Sequence, residues 1–213
     1  MKVEVMEIMK TASEYRLEAR EALRGCWGLA IGITVVFAII TGALSSTFAG
    51  LIILGGAFYV GLSITFVNLF RRGTLQFSDL FSGFSAVEFT ATIGVYVKTL
   101  LFTWLWSLLF VIPGIIKGFG YSMAPYILAD HPGITGGEAL ALSTELMAGK
   151  KWNLFCLLLS FIGWDILSIF TLGILQLWIT PWKYAAVANF YESIKDQVYI
   201  PGEQTDQIPS DTF

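Results

Sequence analysis

The chain has 213 residues, 55% of them hydrophobic and only 14% charged, with a formal net charge of −3. Soluble domains carry about 25% charged residues, and the mean hydropathy here is +0.70. That balance excludes a soluble globular enzyme, a disordered chain and a nucleic-acid binder; it points to an all-α, polytopic membrane bundle.

In chain order, the first element is an amphipathic helix over residues 3–24. Val5, Ile8, Met9, Ala12, Tyr15, Ala19, Ala22 and Leu23 recur at spacings of three and four, and charges of both signs fill the other face. Such a helix is expected to lie along the inner membrane surface. Its ten charges make it too long and too acidic for a signal-peptide n-region, so the apolar run that follows is expected to stay in the mature protein. From Gly25 to Phe70 there are 46 residues without a charge. A hydrocarbon core about 30 Å thick takes roughly 20 helical residues to cross. The run therefore predicts spans at 26–45 and 50–70, separated at Ser45-Ser46-Thr47 and stopped by Arg71-Arg72.

A short surface helix is predicted at Phe77–Phe81. The next apolar run, 91–130, contains Pro113-Gly114, which reads as a hairpin between spans 91–111 and 115–130. Thr135-Gly136-Gly137-Glu138 has the form of a capping box opening a second amphipathic helix, 135–148. Ala139, Leu142, Leu146 and Met147 form its apolar face, and Gly149 is placed to end it. The last run breaks at Thr171-Leu172-Gly173 into spans 152–170 and 174–194. The sum is six transmembrane helices in a single membrane domain, 1–196. A polar tail, 197–213, carries Pro201, Gly202 and Pro209 and is expected to be disordered.

Lysine and arginine set the orientation. With the N-terminus inside, the inner segments hold Lys2, Lys10, Arg16, Arg20, Arg24, Arg71, Arg72, Lys150, Lys151 and Lys195, and the outer loops hold only Lys117. Both termini are thus expected on the cytoplasmic side. A five-span reading would put Lys150-Lys151 outside and is rejected. Trp27 and Trp152 fall where an aromatic belt at the cytoplasmic headgroups would place them. The two amphipathic helices end alike, one in Glu21…Gly25-Cys26-Trp27 and the other in Glu145…Gly149-Lys150-Lys151-Trp152, and each enters a hairpin. With the short helix before the third span, this suggests three parallel units. Parallel repeats occur in transporters and in scaffolds alike.

Ionisable residues inside spans are costly and mark candidate sites. Four stand out: Asp165, Lys183, Lys98 and Lys117. One reading pairs Asp165 with Lys183 or Lys117 across the bundle. The other has the lysines snorkelling to an interface and Asp165 facing water. Three candidate helix breaks are Pro113, Pro125 and Pro181, of which Pro125 and Pro181 are expected to interrupt spans four and six. Gly28/Gly32 and Gly114/Gly118 have the spacing of close helix contacts. Cys26 and Cys156 read as packing residues. His131 reads as part of a helix-ending turn. Ser143 with Glu145 reads as a solvated helix face. No catalytic, cofactor-binding or metal-binding constellation emerges, and none of the motifs for serine hydrolysis, zinc proteolysis, phosphate binding or dithiol chemistry occurs.

Three stretches carry a family resemblance: Arg16 to Ala30, Ile112 to Asp130, and Gly149-Lys150-Lys151-Trp152 running into Leu159 to Trp164. Thr171-Leu172-Gly173 and Phe190-Tyr191-Glu192 follow in order. On these residues the chain resembles the bacterial integral-membrane family called domain of unknown function 975. The resemblance implies a multi-span protein of the cytoplasmic membrane and carries no activity with it. Asp165 departs from the apolar or aromatic residue that the resemblance leads one to expect, so its role need not be a family role.

Three function classes follow. The first is a non-enzymatic scaffold, partner-binding or lipid-organising protein, whose partners are the lipid bilayer, a membrane protein or a second copy of itself, and not nucleic acid. The second is a small transporter or channel using Asp165, Lys183 and Lys98. The third, a lipid-directed enzyme, would need Asp130, His131 and Glu138 to gather around a cleft. The first is the preferred reading. No cofactor is expected.

Overall fold

The computed structural model describes residues 10–44, 48–84, 89–109, 111–131 and 133–197. The start of the first predicted helix, the Ser45–Thr47 break and the tail from residue 198 lie outside the described residues. The chain is all-helical, with no strand among the described residues. The order is α1 (Ala12–Ala22), α2 (Trp27–Leu44), α3 (Phe48–Arg72), α4 (Phe77–Phe81), α5 (Phe89–Leu109), α6 (Val111–Tyr121), α7 (Ala124–Asp130), α8 (Gly136–Leu146), α9 (Lys151–Leu159), α10 (Ile162–Phe170) and α11 (Gln176–Ile194). Short 3-10 turns follow α4 and α11. Three stretches are long and apolar enough to cross a membrane: Trp27–Leu44, Leu54–Arg72 and Lys151–Phe170.

α3 is the central helix. Phe58, Leu62, Phe66 and Leu69 are buried on it, and so are the polar Ser63, Thr65 and Asn68. The hydroxyls of Ser63 and Thr65 donate to carbonyls one turn back, at Tyr59 and Gly61. Asn68 donates to Asp79 of α4 at 2.9 Å. α4 and its 3-10 extension lie against α3 so closely that a methyl at Gly61 would overlap the Leu80 carbonyl, and one at Gly83 would overlap the Ala57 carbonyl. α8 meets α5 in the same way: a Cβ at Gly136 would stand 2.6 Å from the Ala91 oxygen. These glycines let backbones touch, as small residues do at membrane helix contacts. The Gly28/Gly32 pair does not serve this purpose: Gly28 faces open space and Gly32 faces the Phe77 ring. Gly114 and Gly118 line a cavity.

Both amphipathic helices have the same construction. Thr11 caps α1 and Thr135 caps α8, each in a reciprocal box with a glutamate three residues on, Glu14 and Glu138. Each helix has eleven residues, and each is followed by a glycine at positive φ, Gly25 and Gly149. Their described apolar faces are turned inward, against the bundle. Tyr15, Ala19 and Leu23 are buried. Tyr15 packs edge-on against Phe190 of α11 and shares a 2.8 Å hydrogen bond with Ser193. Ala139, Ser143 and Met147 are fully buried at the matching positions of α8.

Two predicted spans are broken helices. The segment 115–130 divides at Ser122-Met123 into α6 and α7, and Pro125 sits in the first turn of α7. Proline there lacks the amide that would bond the carbonyl of Tyr121, so a continuous helix would lose that bond and crowd the ring. Ser143 of α8 bridges the gap: its hydroxyl donates to the Gly120 carbonyl at 2.7 Å and accepts from the Met123 amide at 3.2 Å. Ser143 is thus buried and structural, not part of a solvated face. The segment 152–170 divides at Ser160-Phe161, where Arg16 donates to the Ser160 carbonyl at 2.9 Å. Pro113 and Gly114, expected to form a hairpin, both lie inside α6, which opens at Val111; a proline is tolerated in a first turn, where an amide has no partner within the helix. Pro181 does not end α11, which runs unbroken from Gln176 to Ile194.

Candidate functional site

Of the four intramembrane candidates, the structure brings two together. Lys183 of α11 donates to both carboxylate oxygens of Asp165 on α10, at 2.7 and 2.6 Å. The side chains are 27% and 33% exposed, so the pair is only partly sheltered. Gln176, two turns before Lys183, donates its amide to Asp165 at 3.4 Å. Phe161, at the break between α9 and α10, has the Lys183 ammonium 6.0 Å from its ring centre and the Arg16 guanidinium at 5.9 Å. The break in span five thus supplies both the ring and the capped carbonyl that hold this corner together.

Lys183 also lines a cavity of about 540 Å³ between α3, α6, α7, α9 and α11. Its polar contributors are Gln176, Thr180, Ser122 and three tyrosines, Tyr59, Tyr126 and Tyr184; Leu154, Leu158, Val187 and Ile115 supply apolar wall. A second cavity of about 360 Å³ shares Tyr59, Gly118 and Ser122 with the first and reaches Thr92 and Thr99. Buried polar atoms are nearly always hydrogen-bonded. Among the described residues, Gln176 Oε1, Thr99 Oγ1 and Arg16 Nε are buried without a partner, and the first two stand at the two cavities. With Asp165 neutralising Lys183, the larger cavity carries no strong net field. It can accommodate an amphiphile whose polar end makes hydrogen bonds.

The other candidates lie elsewhere. Lys98 is exposed on α5, and its ammonium stands 3.1 Å from where a Cβ at Gly137 would be, at the start of α8. Lys117 is half-buried on α6, while the salt bridge to Asp165 comes from Lys183. Asp130 and Glu138 have separate partners. Asp130 is held by Arg71 in a two-pronged pair at 2.7 Å per contact and by the Tyr191 hydroxyl at 2.7 Å. Glu138 accepts instead from the Thr135 amide at 2.7 Å, the reciprocal half of the α8 cap.

The sequence reading missed the ionic cluster around Arg71. Arg71 also donates to Glu192 at 2.7 Å, and Glu192 pairs with Lys195 at 2.9 Å. The ends of α3, α7 and α11 therefore meet at one ionic knot. The pattern in the sequence was present, since a charge closes each of those apolar runs, but nothing local says which ends meet.

Residues 108–198 match the model of a family described as protein of unknown function (DUF975). The match takes in α6 to α11, including the Asp165–Lys183 pair and most of the cavity wall. No curated protein and no solved structure matches the chain.

Proposed function

Starting from a chain that carries the DUF975 region, we propose a non-enzymatic, lipid-organising protein of the cytoplasmic membrane that holds an amphiphile in its central cavity. The six crossings in this reading are α2, α3, α5, α6–α7, α9–α10 and α11, with both termini cytoplasmic. The knot of Arg71, Asp130 and Glu192 supports that count, because the ends of the second, fourth and sixth crossings would all lie on one side. The observation that carries the function is the cavity itself: apolar walls, a ring of hydroxyls and a neutralised cation. Ligand pockets of this size with a few converging polar groups are the common form of a small-molecule site.

Native mass spectrometry after gentle extraction tests the proposal. The expected result is a retained lipid-like mass that is lost in Gly118→Leu, which fills the space shared by the two cavities. A bare protein, with solute flux in liposomes that depends on Lys183, would overturn it. That outcome belongs to the second reading, a small transporter or channel using Asp165, Lys183 and Lys98. The ion pair at the cavity wall favours it, while Lys98, on the exposed side of α5, does not.

A further inference from the structure

The smaller of the two joined cavities, about 360 Å³ between α3, α5, α6 and α7, differs in kind from the larger. Hydroxyls make up its polar side-chain wall, among them Tyr59, Tyr96, Thr99, Tyr121 and Ser122. Among the described residues, no lysine, arginine, aspartate or glutamate lines it. Lys98 and Lys117 are next in sequence to Thr99 and Gly118 but line neither cavity. The larger cavity has one charged residue, Lys183, and Asp165 holds it by both carboxylate oxygens.

The interruption between α6 and α7 decides what these groups can offer. Ser122 stands in it, and its hydroxyl donates to the Phe119 carbonyl at 2.7 Å. A hydroxyl has one proton and two lone pairs. With its proton committed, Ser122 can only accept, and it stands at the edge that both cavities share. Gln176, on the wall of the larger cavity, is in the same position: its amide N–H donates to Asp165, and Oε1 is left without a partner. The Thr99 hydroxyl, in the wall of the smaller cavity, has no partner among the described residues, so its proton is still to be given. Buried polar atoms are nearly always satisfied. A ligand that satisfies all three must therefore donate as well as accept. A carboxylate or a phosphodiester only accepts, and an ammonium only donates. Each would also bring a charge that meets no opposite charge, which is costly inside a membrane. Alcohol groups donate, accept and carry no charge.

We propose that the smaller cavity binds the uncharged polyol headgroup of a lipid, of which a monoacylglycerol is the simplest. Its chain lies in the larger cavity, along Ile115, Leu154, Leu158 and Val187. The inference rests on the central-cavity reading above and names the headgroup that the cavity takes.

Three probes that share one chain provide the test: monooleoylglycerol, the corresponding lysophosphatidic acid, and methyl oleate. The full chain in detergent is offered the three at equal concentration, and native mass spectrometry counts what is retained. Monooleoylglycerol should lead lysophosphatidic acid by about tenfold, because the phosphate would be buried unpaired. It should lead methyl oleate, which cannot donate, by about fivefold. Thr99→Val keeps the shape and removes the hydroxyl. It should weaken retention of monooleoylglycerol by about threefold without lowering the thermal midpoint of the empty protein, since that hydroxyl holds nothing in the fold. Thr180→Val, in the larger cavity, should leave the order of the three probes intact. Free glycerol in large excess should not displace the lipid; displacement would make this a site for a soluble polyol and overturn the proposal. Lysophosphatidic acid retained as well as monooleoylglycerol, or Thr99→Val lowering the midpoint with retention unchanged, overturns the headgroup while the central cavity stands. The same holds if none of the probes is retained but protein from its own membrane carries another lipid that Gly118→Leu releases. If neither probe nor native lipid is retained, both readings fall.

Discussion

Helices α2 and α3 make an instructive pair. α2 has a mean hydropathy of 2.2 and only 17% of its residues buried; the Leu54–Arg72 part of α3 has 1.2 and 72%. The Lys151–Phe170 stretch follows α2, at 1.9 and 22%. In water the order is reversed, because burial of apolar surface drives folding and the most apolar helix goes inside. Where the solvent is lipid, apolar side chains gain nothing by turning inward, and the polar groups take the interior, where they find partners. Ser63, Thr65 and Asn68 on α3 do this, while Ile39 on α2 and Ile169 on α10 face outward. The contrast is the physical basis for reading this bundle as membrane-embedded.

The comparison breaks first at the contacts that keep α3 central. Gly61→Ala places a methyl into the Leu80 carbonyl, and Gly136→Ala places one 2.6 Å from the Ala91 oxygen. Backbone cannot move aside as a side chain can, so each change should cost about 3 kcal/mol, the upper end of what overpacking costs. The readout is the yield of monodisperse protein and its thermal midpoint in detergent. Gly28→Ala, at a position facing open space, should leave both unchanged. A folded Gly61→Ala protein would show that α4 does not lie on α3.

Ile39→Arg sharpens the comparison directly. Ile39 is 66% exposed and makes no demand on packing. On the surface of a soluble bundle this change is nearly neutral. At the centre of a membrane helix an arginine costs about 2.5–3.5 kcal/mol of insertion, so the variant should fail in a glycosylation-type insertion assay that the parent passes. Unimpaired expression with improved solubility would sink the lipid reading of α2. Ser143→Ala is next in size. It strips the buried Gly120 carbonyl and Met123 amide of their shared partner, a loss of about 1–3 kcal/mol. It should also speed hydrogen exchange at Met123 more than at Tyr15.

How much of this was legible follows from which signals are local. The Thr135–Glu138 cap is a local event of charge and side-chain reach, and it stands where the sequence reading put it. The cap at Thr11–Glu14 has the same form and was equally readable, but the helix was assigned an earlier start, on periodicity alone. The break at Ser160-Phe161 has no proline to announce it. It depends on Arg16, far away in sequence, to satisfy a carbonyl. The knot of Arg71, Asp130 and Glu192 spans three helix ends, and the central cavity is a property of how five helices fail to close. Neither leaves a mark on any one segment. Asp165 and Lys183 were conspicuous as charges in apolar runs, yet only the fold selected Lys183 over Lys117 as the partner. Removing Asp165 tests that choice. Asp165→Asn should cost about 1 kcal/mol, the scale of a partly exposed pair, and a double variant with Lys183→Met should recover most of it.

The smallest expected effect lies at the two caps, and its sign follows from their chemistry. Hydrogen bonds from the Thr11 backbone and then its side chain hold the Glu14 carboxyl below its ordinary value of 4.5. Thr135 does the same for Glu138. A carboxyl whose pKa is depressed in the folded state contributes stability that is fully present above its unfolded pKa, and that contribution disappears as pH falls through the folded value. Stability should therefore be flat from neutral pH down to about pH 5 and decline below it, on account of these groups. Glu138→Gln keeps the reach back to the Thr135 amide but cannot titrate, so it should flatten the acid limb. Thr135→Ala removes the cap at every pH, by about 1 kcal/mol. Because the α1 and α8 caps share one construction, Glu14→Gln should flatten the limb by a similar amount, and the double variant should show the two effects adding. An acid limb unmoved in both variants would place the acid sensitivity outside the two caps.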